Sequence, residues 1–396
     1  MFDRAIIILA IAQTLVWGCV FYIFPALLLW WESGFGWSRS VLTGAVTMAI
    51  LATACSSVIA GRLIDKGLSH IMMPVCTVVA GVAIALLSQV MEVWQFYALW
   101  LVAGIAMGGC LYDPCFALLT RARGRHARQG IIVITLFAGF ASTIAFPTAH
   151  TLSDMYGWRM AASVFAGVTI FITAPLMRIG ASMVEAEARR APEVQSEPEI
   201  KDVSFLKLPQ FWCLAIGFSF AALLHGTVLH HLLPILADKG IDRELSVLAA
   251  SFFGPMQVAG RLMIMATGHR VANHVMTAIC FCTLIVSVVF LMVSGVALIY
   301  LVAFVVSFGA AHGITNIIRP LLARDILGRS SFGAKSGYLA MAYIGGGAVA
   351  PYLGSLIWLS GGYNLVLLCL IGVGGIGLVL LMLAQHYATR DLKEAL

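Results

Sequence analysis

Residues 108–121 read GGCLYDPCFALLTR, and residues 314–324 read ITNIIRPLLAR. Each stretch contains a proline followed three residues later by an alanine, and Pro114 and Pro320 are separated by 206 positions. Three further pairs of short segments match at spacings within two residues of this value. Agreement at four places along one chain predicts an internal repeat, that is, two halves with the same fold.

Apolar runs, interrupted by glycine, proline and charged residues, fill most of the chain. A helix needs about 20 apolar residues to cross the hydrocarbon core of a bilayer. The runs therefore predict an all-α membrane protein with twelve transmembrane helices. The predicted helices lie at residues 5–30, 41–60, 71–91, 95–119, 130–151, 159–179, 210–236, 245–267, 272–293, 297–322, 337–358 and 364–386.

One long polar segment, residues 185–207, separates the sixth predicted helix from the seventh. We therefore predict two pseudo-symmetric six-helix bundles, one over residues 1–180 and the other over residues 209–396. Residues 181–208 are expected to form a cytoplasmic linker between them.

The composition supports a lipid environment. Of the 396 residues, 61% are hydrophobic and 11% are charged, whereas a soluble domain has about 45–50% apolar and about 25% charged residues. So few charges cannot cover a water-facing surface, which excludes an ordinary soluble enzyme and a nucleic-acid-binding protein. The sequence shows no catalytic triad, nucleotide-binding fingerprint or metal motif. We therefore predict no enzymatic activity, no cofactor and no bound metal.

Lysine and arginine are concentrated in every second loop. With a cytoplasmic N-terminus the inside segments hold most of them, so the positive-inside rule places both termini in the cytoplasm. We predict a multi-pass protein of the cell (inner) membrane. Two arginines, Arg261 and Arg319, fall outside this pattern because they lie within predicted helices.

The loop between the second and third predicted helices carries a motif. Residues 61–67 read GRLIDKG, which resembles the signature loop G-x-L-x-D-[RK]-x-G of the major facilitator superfamily. The resemblance, with the parallel six-helix halves, implies the major facilitator fold and alternating access. The signature positions are Gly61, Asp65, Lys66 and Gly67. Gly61 would permit close helix approach, and Asp65 would pair with a nearby arginine to latch one conformation; an ordinary solvated turn is the alternative.

Three further segments resemble the monocarboxylate and oxalate/formate branch of this superfamily. Residues 34–39 read GFGWSR, similar to a segment that follows the first helix of this branch. Residues 112–118 resemble the N-P-A-L stretch of its fourth helix. Residues 257–261 read QVAGR, similar to the D-x-x-x-R pattern of its eighth helix, whose arginine binds the substrate carboxylate. The chain departs from the branch in lacking a lysine in the first and eleventh predicted helices.

Arg261 is the residue that this resemblance assigns to the substrate. It lies about 17 residues, or roughly 26 Å of helix at 1.5 Å per residue, from the loop at Arg243, so we expect it inside the membrane; a snorkelling loop arginine is the alternative. An intramembrane arginine is costly and needs a partner, and its planar guanidinium suits a carboxylate. Gln257, one helical turn away, would orient the arginine or the substrate.

Asp113 is the only acidic residue well inside a predicted helix, and the repeat places Arg319 at the equivalent position of the tenth helix. The fourth and tenth helices line the central cavity in this superfamily, so the resemblance implies that the two approach each other. We predict that Asp113 takes up a proton and that Arg319 binds the anion. The alternative is a permanent structural ion pair. Tyr112 would contact the substrate or pack as an interfacial aromatic residue.

Three polar residues complete the predicted substrate site. His312 and Asn316 lie on the same stripe of the tenth helix as Arg319 and would donate hydrogen bonds to an anion; for His312, a merely structural hydrogen bond is the alternative. On the seventh helix, adjacent His230 and His231 point about 100° apart. Only one of them can face the cavity, and the repeat favours His230.

The sequence therefore predicts a secondary active transporter that moves a small organic anion, such as a monocarboxylate, together with a proton. Two intramembrane arginines against one aspartate favour an anion over a cation. The alternative is a proton-antiport exporter of drugs or other amphiphilic compounds, which would share the fold and also use Asp113. The expected partners are the anion, the proton and the lipid bilayer, with no nucleic acid, and we expect a monomer.

Overall fold

The structure is a computed structural model that describes residues 3–123, 127–189, 204–267, 271–327 and 332–394. All regular secondary structure in these ranges is helical. The chain divides into two compact units, Met1–Gln195 and Ser196–Leu396, which we call the N-terminal and C-terminal units. Within the predicted linker, residues 190–203 lie outside the described ranges.

In the N-terminal unit the first, fourth, fifth and sixth predicted spans are each built from two helices. Short π-helical turns at Trp17–Phe21 and Thr169–Thr173 interrupt the first and the sixth. The fourth breaks at Leu111, whose backbone is extended (φ −80°, ψ −156°). The helices are α1 (Arg4–Val16), α2 (Ile23–Phe35), α3 (Arg39–Asp65), α4 (Ser69–Leu87), α5 (Val93–Cys110), α6 (Tyr112–Arg123), α7 (Ala127–Ala138), α8 (Ala141–Tyr156), α9 (Trp158–Val168) and α10 (Ala174–Ala188).

The C-terminal unit consists of longer helices. Its main packing pairs are α11 with α15 and α12 with α14. Its last helix contains non-helical backbone at Gly361 and at Gly362, where φ is +69°. The helices are α11 (Pro209–Asp238), α12 (Arg243–Thr267), α13 (Asn273–Met292), α14 (Leu298–Leu327) and α15 (Phe332–Glu394).

The described residues contain 11 helical stretches that are long and apolar enough to cross a membrane. The last stretch, Tyr338–Thr389, has 52 residues, more than twice the length that one crossing needs. The kink at Gly361 and Gly362 divides it where the sequence separates the eleventh predicted span from the twelfth. The predicted all-α membrane protein is therefore confirmed, and every predicted span overlaps a described helical stretch.

Glycines spaced four residues apart allow the central helices of each unit to cross closely. Gly104 and Gly108 of α5 face α3, and Gly309 and Gly313 of α14 face α12. A Cβ atom added at Gly313 would overlap the backbone of Gln257. Small residues at this spacing let helix backbones approach within a membrane. In the C-terminal unit the crossing brings the polar side chains of α12 beside those of α14.

Residues 34–39, which resemble a branch-specific segment, form the turn between α2 and α3. Gly36 has φ +69° and ends α2, and the Ser38 hydroxyl oxygen caps α3. Arg39 forms an ion pair with Glu32 across the turn, at 2.7 Å. These contacts give the segment a local structural role at the end of the N-terminal bundle.

Candidate functional site

The fourth span breaks between α5 and α6 at a point held by Gln13 of α1. The Gln13 side chain is fully buried, and its Nε2 donates to the carbonyls of Cys110 (3.0 Å) and Leu111 (3.3 Å). Pro114 has no N–H that could bond to the Cys110 carbonyl within the helix. Gln13 therefore satisfies the backbone at the break and fixes where Tyr112 starts the next helix.

Tyr112 lies in an aromatic cluster of the N-terminal unit. Its ring centroid is 4.7 Å from that of Trp17 and 5.0 Å from that of Phe116, and Trp17 also contacts Phe21 at 4.8 Å. Asp113, the next residue, has an exposed side chain in the first turn of α6. The break thus places an exposed carboxylate directly after a tyrosine that belongs to an aromatic cluster.

The signature loop forms the turn from α3 to α4. Asp65, the last residue of α3, and Lys66 are both exposed. Gly67 has φ +76°, a conformation that favours glycine, and a Cβ atom there would lie 3.0 Å from Oε1 of Glu185. A Cβ atom at Gly61 would have no neighbour within 4 Å among the described residues, so a close helix approach at Gly61 stays a prediction.

A buried carboxylate of α10 organises this turn. Glu185 is 2% exposed; its polar sequence context predicts a position in the linker, but α10 continues to Ala188. Nη1 of Arg121 donates to Glu185 Oε1 and to the Ile64 carbonyl, both at 2.8 Å, and the Ser69 hydroxyl donates to Glu185 Oε2. The nearby arginine therefore pairs with Glu185, and a latch role for the signature aspartate stays a prediction.

In the C-terminal unit the predicted residues of α12 are buried. Gln257 is 7% exposed and Arg261 is 8% exposed. Arg261 lies within the candidate span Arg243–Ile264, and its helix continues beyond it to Thr267. Arg261 is therefore a helical residue within a candidate span and not a loop residue.

Two histidines from different helices stack beside this arginine. The ring centroids of His225, on α11, and His312, on α14, are 3.3 Å apart, with planes inclined by 6°. Nε2 of His312 lies 3.3 Å from Nδ2 of Asn316. Arg261 and Arg319 are both close enough for their charges to act on the His312 ring. The structure thus brings four of the predicted residues (Arg261, His312, Asn316 and Arg319) together, and adds His225.

Arg319 is held by an aromatic ring. Its Cζ atom lies 4.0 Å from the centroid of the Tyr343 ring, on α15, a cation–π contact. Nη1 of Arg319 is buried and has no hydrogen-bond partner among the described residues. A buried guanidinium N–H without an acceptor is energetically costly, and it is a ready donor for an anionic group.

The adjacent histidines of α11 have different surroundings. Nδ1 of His230 lies 2.8 Å from the Gly226 carbonyl oxygen of its own helix. The two ring nitrogens of His231 contact the Tyr363 hydroxyl (3.0 Å) and the Pro351 carbonyl oxygen (2.7 Å). His231 therefore joins α11 to α15. Both side chains are buried, with His230 at 2% exposure.

Comparison with known families identifies the class of protein. The family model described as Major Facilitator Superfamily matches residues 9–333. The chain belongs to the major facilitator superfamily. It is therefore a multi-pass membrane transporter and not an enzyme, and its fold is the one that this superfamily uses for alternating access.

Solved structures of this superfamily resemble the chain at low identity. A variant of the nucleoside transporter NupG has a TM-score of 0.68 and 15% identity over 97% of this chain and 98% of its own. The human organic anion transporter TETRAN has a TM-score of 0.65 and 14% identity, over 95% of this chain and 98% of its own. A bacterial homologue of the human lysosomal transporter Spinster, in an inward-facing and occupied conformation, has a TM-score of 0.63 and 14% identity, over 98% of this chain and 96% of its own. No curated protein matches the sequence. These likenesses show the superfamily fold, but not the monocarboxylate and oxalate/formate branch.

Four residues of these clusters were not assigned to a site from the sequence: His225, Tyr343, Arg121 and Glu185. Each makes its contact with a residue of another helix. Spacing along one helix reveals which residues share a face, but not which other helix that face meets. The available sequence signal was the presence of several histidines in one apolar helix, α11.

Proposed function

We propose that this transporter moves a small organic anion, such as a monocarboxylate, together with a proton. The observation that carries the proposal is the buried Nη1 of Arg319, which has no hydrogen-bond partner among the described residues. An intramembrane arginine is retained where it serves a substrate path or a partner. A carboxylate oxygen would satisfy both the charge and the open donor.

The charge distribution of the C-terminal unit supports an anion. Arg261 and Arg319 lie inside candidate spans of this unit. Every aspartate and glutamate in its described helices lies within four residues of a helix end. The unit therefore offers positive charge at membrane depth and keeps its own negative charge at the ends of the helices.

Each predicted residue has a proposed role in this scheme. Arg261 and Arg319 would hold the carboxylate. Tyr112 of the N-terminal unit would contact the rest of the substrate. The remaining polar residues would orient the substrate by hydrogen bonds; they are Gln257, His312, Asn316 and His230.

We propose Asp113 as the group that couples the conformational change to the proton gradient. Its position in the first turn of α6, directly after the break, gives it an exposed side chain on an otherwise apolar span. We further propose a monomer in the cell (inner) membrane with both termini in the cytoplasm, since the lysine and arginine pattern favours that orientation. The signature loop would then lie on the cytoplasmic side.

Transport into liposomes tests the proposal. The purified protein is reconstituted, an inward proton gradient is imposed, and uptake of labelled lactate, pyruvate, formate and oxalate is measured. We expect gradient-dependent uptake of at least one acid. We expect Arg261→Ala to abolish uptake, and the matched variant Arg324→Ala, at an exposed position of α14, to retain it. Normal uptake by a well-folded Arg261→Ala protein would remove Arg261 from the site.

One observation favours a second function, export of cationic or amphiphilic drugs by proton antiport. The Tyr112 ring contacts those of Trp17 and Phe116, and Tyr112 directly precedes Asp113 in the first turn of α6; a site that combines aromatic rings with a carboxylate suits a cation. A cationic dye in the same liposomes distinguishes the two functions. Dye movement driven by the proton gradient, with no uptake of the acids, would establish the exporter.

A further inference from the structure

The stacked histidines of the C-terminal unit have no role in the scheme above beyond hydrogen bonding. His225 is a residue of α11 and His312 a residue of α14, yet their rings are parallel and in contact, with centroids 3.3 Å apart. The ring of Phe308, one turn from His312, is also parallel to that of His225, at 5.4 Å. The packing therefore fixes both imidazoles face to face.

The charged and titratable neighbours of this pair come from every helix packed around it. His230 lies on α11, Arg261 on α12, Arg319 on α14 and Tyr343 on α15. The two arginines are cationic at all relevant pH values. Two stacked imidazolium rings would repel each other and both guanidinium groups. With the site empty, the pair is therefore neutral.

A bound carboxylate changes this balance. An anion held by the arginines offsets their positive charge and adds an acceptor beside the rings, and an opposite charge at short range favours the protonated form of a histidine. One of the two imidazoles can then bind a proton. The second stays neutral, because two positively charged rings in contact would repel each other. Nδ1 of His225 is buried and has no hydrogen-bond partner among the described residues, so it is the atom suited to receive the proton.

We propose that the stacked pair His225–His312 takes up one proton from water when an organic anion binds at Arg261 and Arg319. No bond of the substrate forms or breaks, and the proton leaves with the anion when the site empties. This inference rests on the proposed function. It adds a protonation step that belongs to anion binding, separate from the coupling role of Asp113, and it assigns His225 to the site.

The number of protons bound with the anion is the deciding measurement. The purified full-length protein is titrated with lactate, pyruvate, formate and oxalate in turn, by calorimetry in two buffers that differ in ionisation enthalpy. We expect about one proton per anion in the wild type, and an anion affinity that rises about tenfold for each pH unit of acidification, as linkage of one proton requires. His225→Gln and His312→Gln are expected to bind the anion more weakly, without proton uptake and without this pH dependence.

Two further variants separate the possible causes. Asp113→Asn is expected to retain the anion-linked proton, and His274→Gln, an exposed histidine outside the cluster, is expected to behave as wild type. Anion binding without proton uptake in the wild type overturns the histidine proposal and leaves anion transport standing. Loss of the linked proton in Asp113→Asn, with retention in both histidine variants, also overturns it. Binding of none of the four acids overturns the proposed function, and this inference with it. The wild-type measurement is decisive even if a histidine variant does not fold.

Discussion

The fourth-span helices, α5 and α6, and the tenth-span helix, α14, share a glycine spacing but differ in the surroundings of their arginines. Gly108 and Gly313 both allow a close crossing with a neighbouring helix. On α6, Arg121 bonds to the buried carboxylate of Glu185 at 2.8 Å. On α14, Arg319 packs on a tyrosine and keeps Nη1 without a hydrogen-bond partner among the described residues. The repeat thus supplies the same scaffold twice, whereas only the C-terminal copy leaves an arginine donor for a ligand.

The largest effect is expected when the open N–H donor of Arg319 is removed. Arg319→Gln removes the charge and the open guanidinium N–H while keeping a shorter polar side chain. Losing one partner of a buried charged hydrogen bond costs about 2–5 kcal/mol of binding, so we expect uptake of the transported anion to fall by about thirtyfold or more. The measurement is initial-rate uptake into liposomes, normalised to inserted protein.

Two companion variants sharpen this test. Arg319→Lys keeps the charge but not the planar fork, so an intermediate rate is expected. Arg324→Gln, five residues further along the same helix and exposed, is the matched control and should transport normally. Equal uptake by Arg319→Gln and the wild type would show that the open donor is a structural feature, and that the two spans do not differ in function.

The ion pair between Arg121 of α6 and Glu185 predicts an effect on stability. Glu185→Gln leaves the Arg121 charge without its partner, which for a fully buried pair costs about 3–5 kcal/mol. Because the Arg121 side chain is 29% exposed, we expect a smaller loss, about 2–3 kcal/mol, seen as a lower melting temperature in detergent. Glu187→Gln is the control; its side chain is 42% exposed in its pair with Arg123, and its effect should be small. Comparable losses in both variants would contradict the special role of Glu185.

The helical spans and the repeat that relates the two halves were predictable from the sequence. Apolar runs located every span, and the repeat located the equivalent positions 113 and 319. The partner that holds the break of the fourth span was not predicted, because it is Gln13, a residue of α1 that bonds to the freed carbonyls. Local sequence marks a possible break, but the partner that stabilises it comes from another helix.

The site was predictable only in part, for a similar reason. Residues that share a helix face, such as His312, Asn316 and Arg319, could be grouped by spacing alone. His225 and Tyr343 join the same group through contacts between helices, which spacing does not encode. Glu185 was misassigned because a charged residue in a polar stretch is typical of a solvated linker. Its burial depends on the partners that Arg121 and Ser69 provide.

The close crossing of α12 and α14 predicts a moderate effect on stability. A methyl group at Gly313 would overlap the Gln257 backbone, so Gly313→Ala must push α12 and α14 apart, at a cost of about 1–3 kcal/mol. Gly345→Ala on α15 is the control, since a Cβ atom there has no neighbour within 4 Å, and alanine favours a helix by up to about 1 kcal/mol. Melting temperature in detergent reports both effects. Equal melting temperatures for the two variants would argue against a tight crossing in the C-terminal unit.

The smallest effect on stability is expected at Asp3, which pairs with Arg123 of α6. Asp3 caps α1 by accepting from the Ile6 amide (2.9 Å), and Arg123 donates to its carboxylate at 2.6 Å. Burial by itself raises the pKa of Asp3, but the hydrogen bonds from Arg123 and Ile6 and the Arg123 charge outweigh it and lower the pKa below its ordinary value. Asp3→Asn keeps a cap and loses only an ion pair whose acid is 48% exposed. We expect a loss of less than about 1 kcal/mol at neutral pH.

The pH dependence of this loss follows from the lowered pKa. The stabilisation from ionised Asp3 is fully present above the carboxyl's unfolded pKa, about 4, and is lost as the pH falls through the lower folded value. The melting temperatures of wild type and Asp3→Asn should therefore differ slightly near pH 7 and converge in acid below about pH 4. A difference that persists or grows in acid would mean that the Asn side chain disturbs the cap itself. The Arg123 pair would then contribute nothing measurable, in contrast to the Arg121–Glu185 pair two residues away on the same helix.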